Sequence, residues 1–359
     1  MELKMYQFKP DVHQNRNVIL IFFDQDDNLK RALRKRFKSA KWSATKKAWY
    51  LPDMPAIRKA LNLQEVQVHL RKASNIHPVN RKAYLDLNEK LTLMQYSSNT
   101  KRMYLAEFYH LLSLLDDYYV ADLSPHRLKD YFLYCVKVKQ MGERKMNGKI
   151  NAIKFYFEQV LHRPKMFFDI PRPKKPLTLP KMLSKTEVKS LFRVTSNLKH
   201  KVALQLSYGM GLRVSEVVNL KLNDIDSKRM FAHIKGAKGK KDRYVPLPES
   251  ILANLREYYK AYKPKVYLFE GQYGGAYAKS SLQQVFKTAM RKAGIKKQIG
   301  IHGLRHSYAT HLLESGADMR FIQELLGHHS IKTTQVYTKV SPRSISKIKS
   351  PLDTLMDTK

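Results

Sequence analysis

The second half of the chain holds, in order, Arg213 in GLRVSE, Lys238 in KGKKDR, His302 and Arg305 in HGLRH, and His328 and Tyr337 in LGHHSIKTTQVYT. These are the residue types that phosphate chemistry needs: fixed cations, groups that move protons, and a hydroxyl. His302 and Arg305 are one helical turn apart, so a helix there presents both on one face. Tyr337 raises a specific requirement. A phenol titrates near ~10, so it is a poor nucleophile at neutral pH unless its surroundings favour the phenolate or take its proton. Singly, each piece is weak. An arginine after a glycine is usually a solvated charge, a lysine-rich turn is usually only a turn, and a lone tyrosine is usually packing.

The elements that must position these residues can be read from pattern. Arg213 follows a glycine break, with Ser215 placed to cap the helix beyond it. RMFAHIKGAKGKKDRYVPL reads as short strands around a Gly-Lys turn that carries Lys238. A helix opens at SKTE, where Ser184 and Glu187 have capping-box spacing. Upstream, DIPRPKKPLTLPKM breaks the pattern with prolines and lysines and reads as a linker at 166–181. Before it, residues 78–165 read as a helical domain. Tyr104, Phe108, Leu111, Leu112 and Leu115 form one apolar face, Leu128, Phe132 and Cys135 a second, and Ile150, Ile153, Phe157 and Val160 a third. Residues 1–75 read as a small α/β unit: NVILIFFD a buried strand, NLKRALRKRFKSA a basic helix, and KWSATKKAWYLP a hairpin carrying both tryptophans, Trp42 and Trp49, as core residues. The expected fold is mainly α with a small β-sheet.

Composition narrows the partner. The 359 residues carry a formal net charge of +37 with 43% hydrophobic content, so this is a globular polycation rather than a disordered one. Such a surface attracts polyanions by displacing their counterions, which makes nucleic acid the leading partner. The single cysteine, Cys135, excludes an intramolecular disulfide and fits a reducing cytoplasm. The first residues lack a signal-peptide pattern, and VILIFF is too short to span a bilayer, so a soluble intracellular protein without membrane association is expected.

Taken in order, Arg, Lys, His-x-x-Arg, His and Tyr, together with HGLRHSYATHLLESG and IQELLGHHSIKTTQVYT, make the chain from about Pro78 onward resemble the tyrosine recombinases, the phage integrase and Xer type of site-specific DNA recombinase. The resemblance implies a helical core-binding domain at 78–165 and a catalytic domain at 182–340, gripping double-stranded DNA as a clamp. It implies that Arg213 and Arg305 hold the scissile phosphate. Tyr337 would attack it to form a 3′-phosphotyrosine, Lys238 would protonate the departing 5′-oxygen, His302 would accept the tyrosine proton, and His328 would donate to the transition state. It implies no cofactor and no metal, a homotetramer on two DNA sites with room for accessory DNA-bending proteins, and a tail at 341–359 exchanged between protomers. Glu216 has two readings of equal weight: support for Arg213 or a nearby backbone group, or simply an acid in a helix's first turn.

Rival readings are a metal-dependent nuclease, a noncatalytic DNA-binding relative and a type IB topoisomerase. His302 and His306 have i, i+4 spacing that could bind zinc, but no glutamate lies between them and no cysteine helps. The carboxylates around Asp24 and Asp224 read as solvated loop charges. Residues 1–75 suit an arm-type DNA-binding domain or a protein-docking module. Element integration is the preferred biological role, with Xer-like dimer resolution and inversion as alternatives.

Overall fold

The computed structural model describes residues 2–14, 16–63, 75–164, 180–236, 242–272 and 274–338. The chain divides into two compact units, Met1–Leu63 with Thr178–Lys359, and Gln64–Leu177.

At the N-terminus, β1 (Gln7–His13), β2 (Arg16–Phe22), β3 (Lys41–Ser43) and β4 (Ala48–Pro52) form an antiparallel sheet in the order β1-β2-β4-β3. Strand alternation sorts β2 onto two faces. Ile19 and Ile21 pack with Leu33 and Phe37, which belong to and follow α1 (Asp27–Arg36), and with Ile57 of α2 (Pro55–Ala60). Val18 and Leu20 form a smaller cluster with Ala48. Asp26 caps α1 by accepting a hydrogen bond from the Asn28 amide at 2.7 Å. One expectation is corrected here. Trp49 packs against the larger core, but Trp42 is 54% exposed, because it lies on the edge strand β3 and rests edge-on against Trp49 instead of entering the interior.

In the unit Gln64–Leu177 the described residues form α3 (Pro78–Leu93), α4 (Ser98–Leu115), α5 (Pro125–Lys137) and α6 (Glu143–Phe155), the last running into a π-turn at Tyr156–Val160. Ser97 and Ser124 cap α4 and α5, each accepting a backbone hydrogen bond at 3.3 Å. The expected apolar faces meet in one core, in which Phe108, Leu112, Leu128, Cys135, Ile153 and Phe157 are fully buried. Among the described residues Asn80, Asn147 and Lys149 are buried with them. Lys149 has no exposed surface, and its charge is matched by Glu107 at 2.7 Å. Asn80 donates to the Tyr118 carbonyl at 2.8 Å and accepts from the Val120 amide at 2.9 Å, which pins the turn between α4 and α5 to α3.

The remaining elements build the site. They are α7 (Lys185–Arg193), α8 (Leu198–Gly209), α9 (Val214–Asn219), the antiparallel sheet β5 (Ile225–Asp226), β6 (Phe231–Ile234) and β7 (Arg243–Pro246), then α10 (Glu249–Tyr262), α11 (Lys279–Lys292), α12 (His302–Glu314), α13 (Met319–Leu326) and α14 (Ile331–Gln335). The Ser184–Glu187 capping box is present, with bonds of 3.2 and 2.7 Å. Most of these elements pack on one apolar core running from Leu183 to Leu304. Asp224 departs from the solvated-loop expectation. It is 6% exposed, bound to the Lys221 amide at 2.9 Å and to Lys235 at 2.8 Å, so it ties β6 to the short turn before β5. No described helix is long and apolar enough to cross a membrane.

Replacing Asn80 by Ala strands a buried carbonyl and a buried amide. We expect a loss of about 2 kcal/mol, local to the helical unit. Hydrogen exchange under mild denaturant reads it: unchanged protection of the α3 and α4 amides in Asn80→Ala would show that the side chain holds nothing.

Candidate active site

Arg305 is the centre of the arrangement. It lies one turn into α12, is 1% exposed, and is held by carbonyls rather than by solvent: Nη1 donates to Gly211 at 2.8 Å and Nη2 to Leu326. Gly211 is required for this. Its φ is +57°, and a Cβ there would lie 2.4 Å from the Tyr308 ring, so only glycine lets the chain turn close beneath α12 and aim its carbonyl at the guanidinium. Burial, and then the nearby Arg213, bring the Arg305 pKa down to about 9, still charged at neutral pH.

Arg213 comes from the other side of the same turn. It occupies the N-cap of α9, and its amide donates to the Glu216 carboxylate at 2.9 Å, so the helix begins before Ser215 and Glu216 does the capping. The expected cap at Ser215 is therefore replaced by an acid reaching back from the first turn. That carboxylate is the counter-ion of the site: it meets Arg213 at 2.7 Å, Arg243 of β7 at 2.8 and 3.1 Å, and Arg305 at 3.8 Å. Burial pushes its pKa up, but hydrogen bonds and charge from Arg243, then Arg213, outweigh burial and hold it at about 2. Both readings of Glu216 are met, since it sits in a first turn and also fixes Arg213. Arg243 was not singled out from the sequence. It opens the strand RYVP, where nothing in the sequence separates it from a solvated arginine.

Tyr337 follows α14 and is 3% exposed, packed with Ala309, Ile322 and Leu326. Its hydroxyl lies 3.1 Å from Nδ1 of His306. His302, expected to take the phenol proton, stands one turn before, with its ring 4.7 Å from that of His306. His328 lies nearly parallel to the Tyr337 ring at 6.4 Å, and its Nδ1 is 3.0 Å from the Thr334 hydroxyl. Burial, then charge from neighbouring histidine and arginine groups, depresses His306 and His328 to about 4 and lowers His302. Tyr337 goes the other way. Burial raises its pKa more than Arg305 and Arg213 lower it, so in the DNA-free protein the cations do not by themselves yield a phenolate.

The structure thus gathers Arg213, Arg305, His302, His328 and Tyr337 with Glu216, and adds His306 and Arg243. Lys238 lies outside the described residues, as does the tail at 341–359. The flanks of the Lys238 turn are described: the Gly236 amide donates to Asp242 at 2.9 Å, and the next residue, Arg243, binds Glu216.

A fixed pair of guanidiniums beside a buried hydroxyl with an imidazole partner is an arrangement for cutting a phosphodiester through a tyrosyl ester. The comparisons agree. The Phage integrase family matches residues 181–343. The tyrosine recombinase XerA of Pyrococcus horikoshii is 38% identical over 268 residues, 73% of this chain and 88% of that protein. A putative integrase/recombinase of Sinorhizobium fredii is 35% identical over 274 residues, 75% of this chain and 88% of that protein. Among solved structures, a lambda integrase dimer bound to a COC′ core site superposes with a TM-score of 0.59 at 16% identity, covering 71% of this chain and 94% of that one. XerH bound to its difH substrate gives 0.53 at 23% identity, covering 67% and 74%. The chain belongs to the tyrosine recombinase family.

Two pH effects follow for the DNA-free protein. The Glu216 pKa is depressed, so its contribution is complete above about pH 4.5 and is lost as pH falls towards 2, on the order of 3 kcal/mol. His306 and His328 are depressed as well, so the unfolded chain takes up protons that they decline, and stability falls between about pH 6.5 and 4. Glu216→Gln leaves the guanidiniums without a counter-ion and should cost about 3–5 kcal/mol at pH 7 while flattening the pH 4.5–2 limb. Denaturant titrations at a series of pH values test this, and an unshifted midpoint in Glu216→Gln would refute it.

Proposed function

We propose that the chain is a site-specific recombinase that cuts and rejoins double-stranded DNA through a 3′-phosphotyrosine at Tyr337, without metal or nucleotide, as the integrase of a mobile element. The observation that carries this reading is the buried Tyr337 hydroxyl set among Arg213, Arg305, His306 and His328. Arg213 and Arg305 hold the non-bridging oxygens of the scissile phosphate, and Glu216, itself bound by Arg243 of β7, keeps their forks in place by pairing with both. His328 Nδ1 lies 3.0 Å from the Thr334 hydroxyl; in the tautomer where that hydroxyl donates, Nε2 carries the proton and donates to the transition state. Lys238, five residues before Arg243 in the sequence, protonates the departing 5′-oxygen. The phosphotyrosine conserves the energy of the broken bond, so a 5′-hydroxyl from another strand can reverse the step.

Double-stranded DNA is the partner, in keeping with the +37 charge, and the acting form is a homotetramer on two sites in the cytoplasm. Residues 78–165 contact the core site with the catalytic domain 182–340, residues 1–75 supply an arm-type DNA contact, and the tail at 341–359 docks on a neighbouring protomer. A second reading, resolution of chromosome or plasmid dimers, draws on the 38% identity to XerA.

The test is a covalent trap in EDTA. The protein is incubated with a pool of nicked duplexes made from the source genome, denatured, and protein-linked strands are sequenced. Adducts are expected with the wild type and none with Tyr337→Phe; equal adducts from both, or salt-sensitive binding with no adduct, would reject tyrosine chemistry here. Truncation at Ser344 checks the tail: recombination should fall at least tenfold with DNA affinity kept, and parallel loss of both would rule out a role in assembly.

A further inference from the structure

The family pattern that leads to Tyr337 does not use His306, yet His306 is the group that touches its oxygen. In α12 the two histidine rings meet edge to face, 4.7 Å apart and inclined at 78°. Of the two, His306 places Nδ1 3.1 Å from Tyr337 Oη, and among the described contacts no hydrogen bond joins His302 to that hydroxyl.

We propose that His306, in place of His302, takes the Tyr337 proton during cleavage and returns it during rejoining. This rests on the reading of Tyr337 as the nucleophile. The step uses one tautomer: with the phenol donating to Nδ1, the proton of the neutral ring is on Nε2, and Nδ1 presents its lone pair to the proton that must leave. In the step, the Oη–H bond breaks and its proton passes to Nδ1, while the phenolate oxygen forms a bond to phosphorus. The P–O5′ bond breaks, and the leaving oxygen takes a proton from the acid assigned to Lys238. Rejoining runs in reverse: the tyrosyl oxygen leaves phosphorus and recovers its proton from the His306 imidazolium.

The surroundings suit a base that is idle until substrate arrives. The groups facing His306 are His302 and Arg305 from its own helix, His328 from the segment after α13, and Tyr337 from the turn after α14. Burial, then His302 and Arg305, keep the ring neutral, with a pKa of about 4. A phosphate seated on Arg213 and Arg305 brings negative charge within reach of the same ring and offsets those cations, which raises its basicity at the moment the proton has to move. The plain alternative is that His306 only satisfies a buried hydroxyl among Ala309, Ile322 and Leu326.

Asparagine separates the two roles, because its Oδ1 can accept a hydrogen bond near the position of Nδ1 but cannot carry away a proton. The experiment measures single-turnover adduct formation from pH 5 to 9 on a nicked duplex recovered from the genomic pool, with wild type, His306→Asn, His306→Ala and His302→Asn as full chains. Wild type should rise to a plateau with pH. His306→Asn and His306→Ala should be at least about 100-fold slower at pH 7, with rates still climbing at pH 9 as hydroxide substitutes for the base, and with salt-dependent DNA binding preserved. His302→Asn should keep the shape of the profile, a rise to a plateau, whatever its effect on the plateau rate. If His306→Ala loses DNA binding through misfolding, His306→Asn carries the test. A wild-type rate and profile in His306→Asn would overturn the assignment, as would a plateau lost in His302→Asn and retained in His306→Asn. Absence of any wild-type adduct is a separate failure, that of Tyr337 as nucleophile.

Discussion

The catalytic half of this protein depends on one carboxylate. Guanidiniums repel one another, and placing Arg213, Arg243 and Arg305 together with Arg305 wholly buried would be prohibitive without an anion among them. Glu216 supplies that anion from the first turn of α9, where the helix also favours negative charge. Its position joins elements remote in sequence: Arg213 before its own helix, Arg243 in β7, and Arg305 in α12. The guanidinium forks are therefore held by charge balance within the protein itself.

Around that centre, backbone carbonyls do the steering. Gly211 and Leu326 accept from Arg305, Leu325 accepts from Arg243, and Gly327 accepts from Arg213. The first of these depends on a left-handed glycine beneath α12, and the last three lie at the C-terminal end of α13, where helix carbonyls have no intrahelical donor. The end of one helix thus serves as the cradle for three cations, and the segment leaving it carries His328 and then Tyr337. The guanidiniums and the tyrosine proposed as nucleophile are positioned by the same short piece of chain.

Much of this was legible in the sequence. The apolar spacings at Phe108, Leu128 and Ile153 found the helical core, and Ser184 with Glu187 found a helix start, because local periodicity and capping are local physics. The order of Arg213, His302, Arg305, His328 and Tyr337 identified a cluster that long-range packing then assembled. What escaped was tertiary. Trp42 looked like core until the sheet order placed it on an edge, and Asp224 looked solvated until β6 brought Lys235 to it. The i, i+4 spacing of His306 from His302 pointed to a metal rather than to Tyr337, and nothing in the spacing around Arg243 separates it from a solvated arginine. Only the approach of Tyr337 to one and Glu216 to the other gives them a role.

The burial of Tyr337 has a consequence for how such a protein lives with a genome. A formal net charge of +37 favours contact with DNA of any sequence, because phosphate neutralisation does not read bases. A nucleophile held exposed and ionised during that search would threaten each phosphate it passed. Here the hydroxyl is 3% exposed and protonated, tucked against apolar side chains. Promiscuous adhesion and rare incision can then coexist in one polypeptide, because scanning and cutting make different demands on the same tyrosine.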